Sequence, residues 1–286
     1  MLSGEKNNTV YLSKLLKTDP IYSLNCKTLI EKLENHDIPY HFLEATKQIW
    51  CRDYMPVQVN KEKFVQFRYE PSYRRPYPEY YTDSDLVCKV NGIKTISSSI
   101  KLDGGNVVSW TDKVILSDRV VDENPEFPSK SKLLGELEKY FETEVIIIPQ
   151  IELDYIGHAD SMVRFVDSKT LIGNDRKMKG KTWKSKMDKV LRQHGLNYID
   201  VPFFHHKNKI YPDNAIGCYV NFLEVQHLLL IPVFEIEDNR DEEALEVFSQ
   251  AFPHKELLPI NFNQVGFSGG LLNCATWTMQ EGNELA

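Results

Sequence analysis

The sequence predicts an α/β fold made of five related units, each a helix, a strand, a loop and a second short strand. Three observations carry that expectation. Five separate stretches place apolar residues three and four positions apart, the spacing that lays one face of a helix on a core. Each stretch leads into a run enriched in β-branched or aromatic residues, as strands are. A polar or glycine-rich segment then follows, and its marker residues, Asp53, Asp103, His158, Asn214 and Cys274, lie 50, 55, 56 and 60 positions apart. Such a period marks an internal structural repeat. The residues themselves are not repeated, so the period is architectural; chance alternation of helices and strands is the competing account.

The first helix is expected over 23–35 (SLNCKTLIEKLEN), leading to a strand at 39–43. A short second helix, 83–90, precedes a strand at 93–100. The third, 129–141 (SKSKLLGELEKYF), precedes 144–149; the fourth, 181–194, precedes 197–201; the fifth, 241–252, precedes 256–260. Ser129 and Asp241 carry side chains suited to N-caps, and Gly92 and Gly195 stand where glycine ends a helix. The loop segments are WCRDYMP (50–56), LDGGN (102–106), GHAD (157–160), PDNAIGCYVNF (212–222) and GGLLNCAT (269–276). Short β-like runs come after them, such as 57–59, 107–110 and 162–165. If a rotation relates the units, the five loops meet near its axis. Asp53, Asp103, His158, Asp160 and Cys274 then gather at one end, the usual way a catalytic pocket is assembled.

A chain of 286 residues has room for one large domain or two small ones. Five units of about 57 residues are each too small for a good core, so a single domain, 1–286, is expected. Apolar residues make up 42% and charged residues 26%, which excludes a disordered chain, a collagen and a coiled coil. Acidic residues (41) outnumber basic ones (34), giving a formal charge of −7. That opposes nucleic-acid binding and suits attraction of a cation. The five cysteines, Cys26, Cys51, Cys88, Cys218 and Cys274, form no CxxC pair and no dense framework, so free thiols in a reducing, cytoplasmic setting are expected. The first twenty residues lack the apolar core of a signal peptide. The longest apolar run, 228–234, is interrupted by Pro232 and falls far short of the ~20 residues that span a bilayer.

The gathered residues are one thiol, one imidazole and three carboxylates. Cysteine with histidine permits thiolate attack on an electrophilic carbon and proton transfer to a leaving group. Carboxylates beside a thiol raise its pKa, an arrangement that makes sense if the substrate is a cation. A guanidinium is planar, permanently charged and pairs with carboxylates through parallel hydrogen bonds, so two aspartates could clamp it while the thiol attacks its central carbon. Zinc is the rival reading of Cys, His and Asp, but neither the HxD of GHAD nor the adjacent His205 and His206 gives a close ligand set, and no metal is expected. No GxSxG motif points to a serine hydrolase.

Five motifs in order resemble one family. WCRDYMP is similar to the W-x-R-D-x-G-P segment of the agmatine deiminases and bacterial peptidyl-arginine deiminases. LDGGN resembles their E-G-G-N, GHADSMVRF their G-H-x-D-x-x-x-R-F, CYVNF with LLLIPVF their S-Y-x-N-F and following strand, and GGLLNCATW their G-G-x-x-H-C-x-T-Q. The resemblance covers about residues 50–278. It implies the five-bladed α/β propeller, or pentein, fold of guanidino-group-modifying enzymes, in agreement with the repeat. It implies Cys274 as nucleophile, forming a covalent amidino intermediate, His158 as acid and then base, and Asp103, in place of the family's glutamate, as the group orienting His158. It further implies that Asp53 and Asp160 bind the guanidinium, that Trp50, Arg52 and Asn221 line the substrate site, and that Gly104, Gly105, Gly269 and Gly270 let the backbone come close. No cofactor is implied. Met55, Asn273 and Trp277 depart from the family pattern and leave the guanidino substrate open: agmatine, another small guanidine, or an arginine side chain in a peptide. Amidino transfer to an amine and a catalytically inactive guanidinium-binding module are the alternatives to hydrolysis.

Plainer readings stand beside these. Cys274 could be a small buried hydrophobe, His158 a structural histidine, Asp53 the partner of Arg52 or Arg164, and Asp103 a turn cap. Cys51 and the other cysteines read as core. The segment 67–81 (FRYEPSYRRPYPEYY) resists helix formation and reads as a long loop: a lid over the site, a plain connection, or a partner surface.

Overall fold

Five three-stranded sheets share one strand order, and the sequence pattern explains most of it. The computed structural model describes residues 1–74, 78–152 and 154–282. Strand β1 (Thr9–Ser13) is followed by a helix at Ser23–Glu34 and by β2 (Tyr40–Leu43). The second sheet holds β3 (Val57–Gln58), β4 (Phe64–Arg68) and β5 (Ile96–Lys101), with the helix Ser84–Val90 before β5. The third holds β6 (Val108–Trp110), β7 (Lys113–Ser117) and β8 (Glu144–Ile148), with the helix Lys130–Phe141. Next come β9 (Val163–Phe165), β10 (Thr170–Asn174) and β11 (Asn197–Val201), with the helix Lys181–His194. The last unit has β12 (Leu223–Val225), β13 (Leu228–Val233) and β14 (Glu256–Asn261), with the helix Asp241–Ala251. Finally β15 (Thr276–Met279) returns to β1.

In every sheet the middle strand runs antiparallel to the strand before it and parallel to the strand after the helix. The helix is there for a geometric reason: parallel neighbours need a crossover, and a helix supplies it while covering one face. In the first sheet the antiparallel partner of β1 is β15, with Thr9 opposite Met279 and Leu12 opposite Thr276. The repeat therefore closes on itself.

The helices lie where the apolar spacing puts them. Leu133, Leu137 and Phe141 form one buried stripe; Trp183, Met187 and Leu191 form another, each at four-residue steps. Burying such side chains stabilises the fold by about 1.5–3 kcal/mol each. Ser129 caps its helix by accepting from the Lys132 N–H at 3.3 Å, and Gly195 ends its helix at φ 61°. Asp241 departs from the expected N-cap. It is the first helical residue, and its carboxylate accepts from the Phe234 and Glu235 N–H groups and from the Tyr219 hydroxyl at 2.7 Å.

Sequence periodicity misses the middle strands of the earlier sheets. β7 (KVILS) and β10 (TLIGN) follow their neighbours after a tight turn and blend into one β-like run. β13 is buried along its whole length, and Pro232 is tolerated there because pairing with β12 ends at Leu230. The segment 67–81 begins as the end of β4 and continues through single turns at Ser72–Arg74 and Pro78–Tyr80; residues 75–77 lie outside the described residues. Among the described residues no helix is long and apolar enough to cross a membrane.

Short turns at Cys51–Tyr54, Gly104–Asn106, Ala159–Ser161 and Leu272–Ala275 carry four of the five predicted loops. The first touches both the second and the last, and the second touches the third. The fourth loop joins through the Cys218 thiol, 3.4 Å from the Ser161 carbonyl, and through the Asn221 carbonyl, which accepts from the Asn273 N–H at 3.2 Å. The loops thus form a closed ring of contacts.

Trp277 links the closing strand to its neighbours. It is buried, tilted against Tyr11 and Phe64, and donates its indole N–H to the Pro56 carbonyl at 2.8 Å. Trp277→Ala is expected to cost about 3–5 kcal/mol, read from denaturant midpoints, whereas truncating the exposed Leu24 should leave the midpoint nearly unchanged.

Candidate active site

Cys274 sits on the turn that enters β15, and Asn221 holds it twice. The Asn221 side-chain oxygen accepts from the Cys274 N–H, and its amide nitrogen donates to Sγ, both at 3.2 Å. Asp160 approaches from the third loop, its Oδ2 lying 3.8 Å from Sγ. The same oxygen accepts from the Asn273 amide at 2.6 Å. Asp160 Oδ1 is buried and has no hydrogen-bond partner among the described residues. A buried carboxylate oxygen left unmatched is costly, so a donor-rich cationic ligand would satisfy it. Burial, then the charges of Asp160 and Asp53, push the Cys274 thiol well above its ordinary pKa, against the opposing Asn221 hydrogen bond.

His158 lies between two carboxylates. Its Nε2 is 3.0 Å from Asp103 Oδ2, and its Nδ1 is 3.4 Å from Asp53 Oδ1. With an acceptor on each side, both ring nitrogens are best used as donors, which is the imidazolium. Burial alone would lower its pKa; Asp53, the Asp103 hydrogen bond and charge, and Asp160 outweigh that and push it up to about 9. Asp103 does not cap its turn with its side chain. Instead it takes the His158 ring and, on the same oxygen, the Tyr73 hydroxyl at 2.9 Å.

Two glycines set the spacing. A Cβ on Gly105 would lie 2.5 Å from His158 Nδ1 and 2.6 Å from Asp53 Oδ1, so only glycine lets those side chains meet there. A Cβ on Gly270 would come within 2.5 Å of the Trp50 ring and 3.0 Å of Cys274 Cβ, so glycine lets Trp50 lie beside Cys274. Gly104 fits against the Arg52 carbonyl in the same manner, and Gly269, at φ 101°, makes the turn before the cysteine.

Asp53, Asp103, His158, Asp160, Asn221 and Cys274 therefore come together, with Trp50 at their edge. Arg52 turns the other way: its Nε reaches the Asn273 carbonyl at 3.4 Å and its Nη2 the Thr278 hydroxyl at 3.1 Å. Arg164 donates to the Phe222 carbonyl at 2.9 Å. Asn214, the marker chosen for the fourth loop, binds the carbonyls of His206 and Tyr211; Asn221, seven positions on, is the fourth loop's contribution to the cluster. Cys26, Cys51, Cys88 and Cys218 are buried, and burial raises every one of their pKa values, that of Cys51 to about 12. Two further residues join the cluster without having been assigned a role in it: Tyr73, from the Tyr- and Pro-rich segment 67–81 whose lid reading points to this side of the site, and Asn273, which stands in the sequence as a departure from the family motif. Among the described residues, no group of three His, Cys, Asp or Glu side chains is arranged to hold a metal ion.

Residues 12–280 match the Porphyromonas-type peptidyl-arginine deiminase family. A Listeria monocytogenes protein named "Putative agmatine deiminase 2" is 23% identical over 231 residues, 69% of this chain; the match spans 58% of that relative's length. Among solved structures, a C. jejuni agmatine deiminase, a cysteine-to-serine form with substrate bound, superposes with a TM-score of 0.77 at 15% identity, over 99% of this chain and 96% of the other. The agmatine deiminase of Enterococcus faecalis gives a TM-score of 0.75 at 17% identity, over 98% and 95%. At such identities the likeness establishes a shared fold.

The raised imidazole has a consequence for stability. A group whose pKa is higher in the folded state than in the unfolded one stabilises fully below the unfolded value, here 6.5, and the contribution disappears as pH rises through about 9. The stability difference between the wild type and His158→Gln, from denaturant melts, should shrink over that window. A difference flat with pH would remove the imidazolium from the site.

Proposed function

Since the chain belongs to the Porphyromonas-type peptidyl-arginine deiminase family, we propose that it is a cysteine hydrolase that converts a guanidinium to a ureido group with release of ammonia. The substrate is agmatine, a related small guanidine, or arginine within a peptide. One observation carries the reading: a thiol, an imidazole and three carboxylates converge from four loops, with a buried oxygen of Asp160 left to accept a donor.

In this reading Asp53 and Asp160 hold the guanidinium nitrogens, and Trp50 lies beside its plane. Cation binding offsets the carboxylate field that keeps Cys274 protonated, so the thiolate forms when substrate is present. Sγ attacks the central carbon. His158, held by Asp103, gives its proton to one terminal nitrogen; the C–N bond breaks and ammonia leaves. The S-alkylthiouronium that remains is attacked by water, whose proton His158 takes. Cleavage of the C–S bond releases the ureido product and restores the thiol. Asn221 aims Sγ through its two hydrogen bonds. Gly104, Gly105 and Gly270 allow the close packing of these groups. Arg52 supports the turn of Cys274 through the Asn273 carbonyl and meets the substrate only indirectly.

The same proposal takes residues 1–286 as one domain, since its residues come from loops spread along the chain, and places the protein in the cytoplasm, where five free thiols persist. It needs no cofactor and no nucleic-acid or membrane partner.

Ammonia and ureido product should both appear when the protein is given agmatine, simple guanidines, arginine and arginine peptides in turn. Product only in the presence of an added amine would make it a transferase instead, and silence across the panel a binding module. Cys274→Ser should lower turnover by about 10³-fold or more. Asp53→Asn and Asp160→Asn, which keep shape but remove charge, should each reduce kcat/KM by about 10–100-fold. Wild-type kinetics in both would dismiss the clamp.

A further inference from the structure

We infer that Tyr73 is a positioning residue for the Asp103–His158 pair, acting through Asp103 and fixed in place by a latch on Glu123. The inference rests on the proposed reading of the site and goes beyond it, because Tyr73 belongs to none of the five motif loops.

The geometry comes from both ends of the side chain. The Tyr73 hydroxyl donates to Asp103 Oδ2 at 2.9 Å, the oxygen that also receives His158 Nε2 at 3.0 Å. The ring stands edge-on to His158, with centroids 6.1 Å apart and planes at 71°, and edge-on to Tyr155 at the same distance. The Arg119 guanidinium lies over its other side at 5.7 Å. Next to it, Ser72 donates its hydroxyl to Glu123 Oε1 at 2.5 Å and its N–H to the same atom at 3.3 Å. Arg119 ties both, reaching Ser72 Oγ at 2.7 Å and Glu123 Oε1 at 2.9 Å. A backbone turn held at this many points delivers the phenol to one place.

Chemically, a phenol sharing a carboxylate oxygen with an imidazolium disperses the charge that the imidazolium sees. Asp103 is thereby kept a good orienting group without gripping the proton too hard. Removing the hydroxyl leaves His158 as the donor remaining on that Asp103 oxygen, so the charge it faces is less dispersed, and it holds its proton more firmly and yields it less readily to departing ammonia. The other charged groups facing His158 do not change. These are Asp53 at Nδ1 and Asp160 in its own loop. Across a small cavity that reaches Asp103 and His158 stand Glu70, Lys101, Arg119 and Glu123.

The test is Tyr73→Phe, which keeps the ring and removes only the hydroxyl. NMR titration of the His158 ring in the ligand-free protein should show its pKa rise by about half a unit or more. Steady-state kinetics on the substrate found by the panel should show kcat down about 10-fold with KM within about twofold. A merely structural role would leave the His158 titration where it was. An unmoved titration overturns the inference, as does a raised pKa with unchanged kcat. Tyr73→Leu, which fills part of the space and carries no donor, should raise the His158 pKa in the same direction as Tyr73→Phe; an unmoved titration there would overturn it equally. If the wild type turns over nothing, the reading of the reaction fails, while the ring titration still decides whether Tyr73 governs His158.

Discussion

The antiparallel pairing of β15 with β1 is the contact on which the rest of the arrangement depends. It brings Met279 opposite Thr9 and so joins the fifth unit to the first. Cys274 lies on the turn that leads into β15, and that turn packs against the one carrying Asp53. Loss of the pairing would leave the other four loops with three carboxylates and an imidazole but without Cys274. Trp277 reinforces the closure from inside, between Tyr11 of β1 and Phe64 of β4. The family position it occupies differs in sequence, yet the residue works here as part of the core.

Charge is the second constraint. Three aspartates and one histidine are nearly withdrawn from solvent, and burying like charges together is unfavourable unless something compensates. His158, held protonated by its neighbours, compensates in part. Asn273 and Tyr73 contribute neutral donors to Asp160 and Asp103. What remains unmatched is an acceptor on Asp160 and a thiol that resists ionising. Both deficits have the same remedy, a flat cation with several N–H donors. In the proposed reading the site is therefore chemically quiet until a guanidinium binds.

The five crossover helices and their following strands were legible because each buries a stripe at regular spacing, as with Leu133, Leu137 and Phe141. Middle strands of the earlier sheets were not, because a run such as KVILS is short and its hairpin partner sits a turn away. The site residues Asp53, Asp103, His158, Asp160 and Cys274 could be named from their loops, since the recurring loop position told where they would meet. Asn214 shows the limit of that reasoning: it marked only the period, and the fourth loop's contribution, Asn221, came from the motif resemblance, because spacing does not say which side chain in an eleven-residue loop faces inward. For Tyr73 the sequence marked the segment 67–81 and its lid reading over the site, but not the residue: its position is set by the side-chain contacts of Ser72, Arg119 and Glu123, which leave no periodic trace.

The distance along the chain between Thr9 and Met279 also bears on how the molecule reaches its final state. Pairings between residues so far apart close a very long loop, and their entropy cost is met before their contacts are gained. Units that pair locally, such as β6, β7 and β8, are able to form early. On that ground the strand pair that seats Cys274 is expected to form late. Until it forms, Cys274 lies away from the aspartates it later packs against, so an incompletely folded chain exposes this thiol to oxidants more than the folded one does.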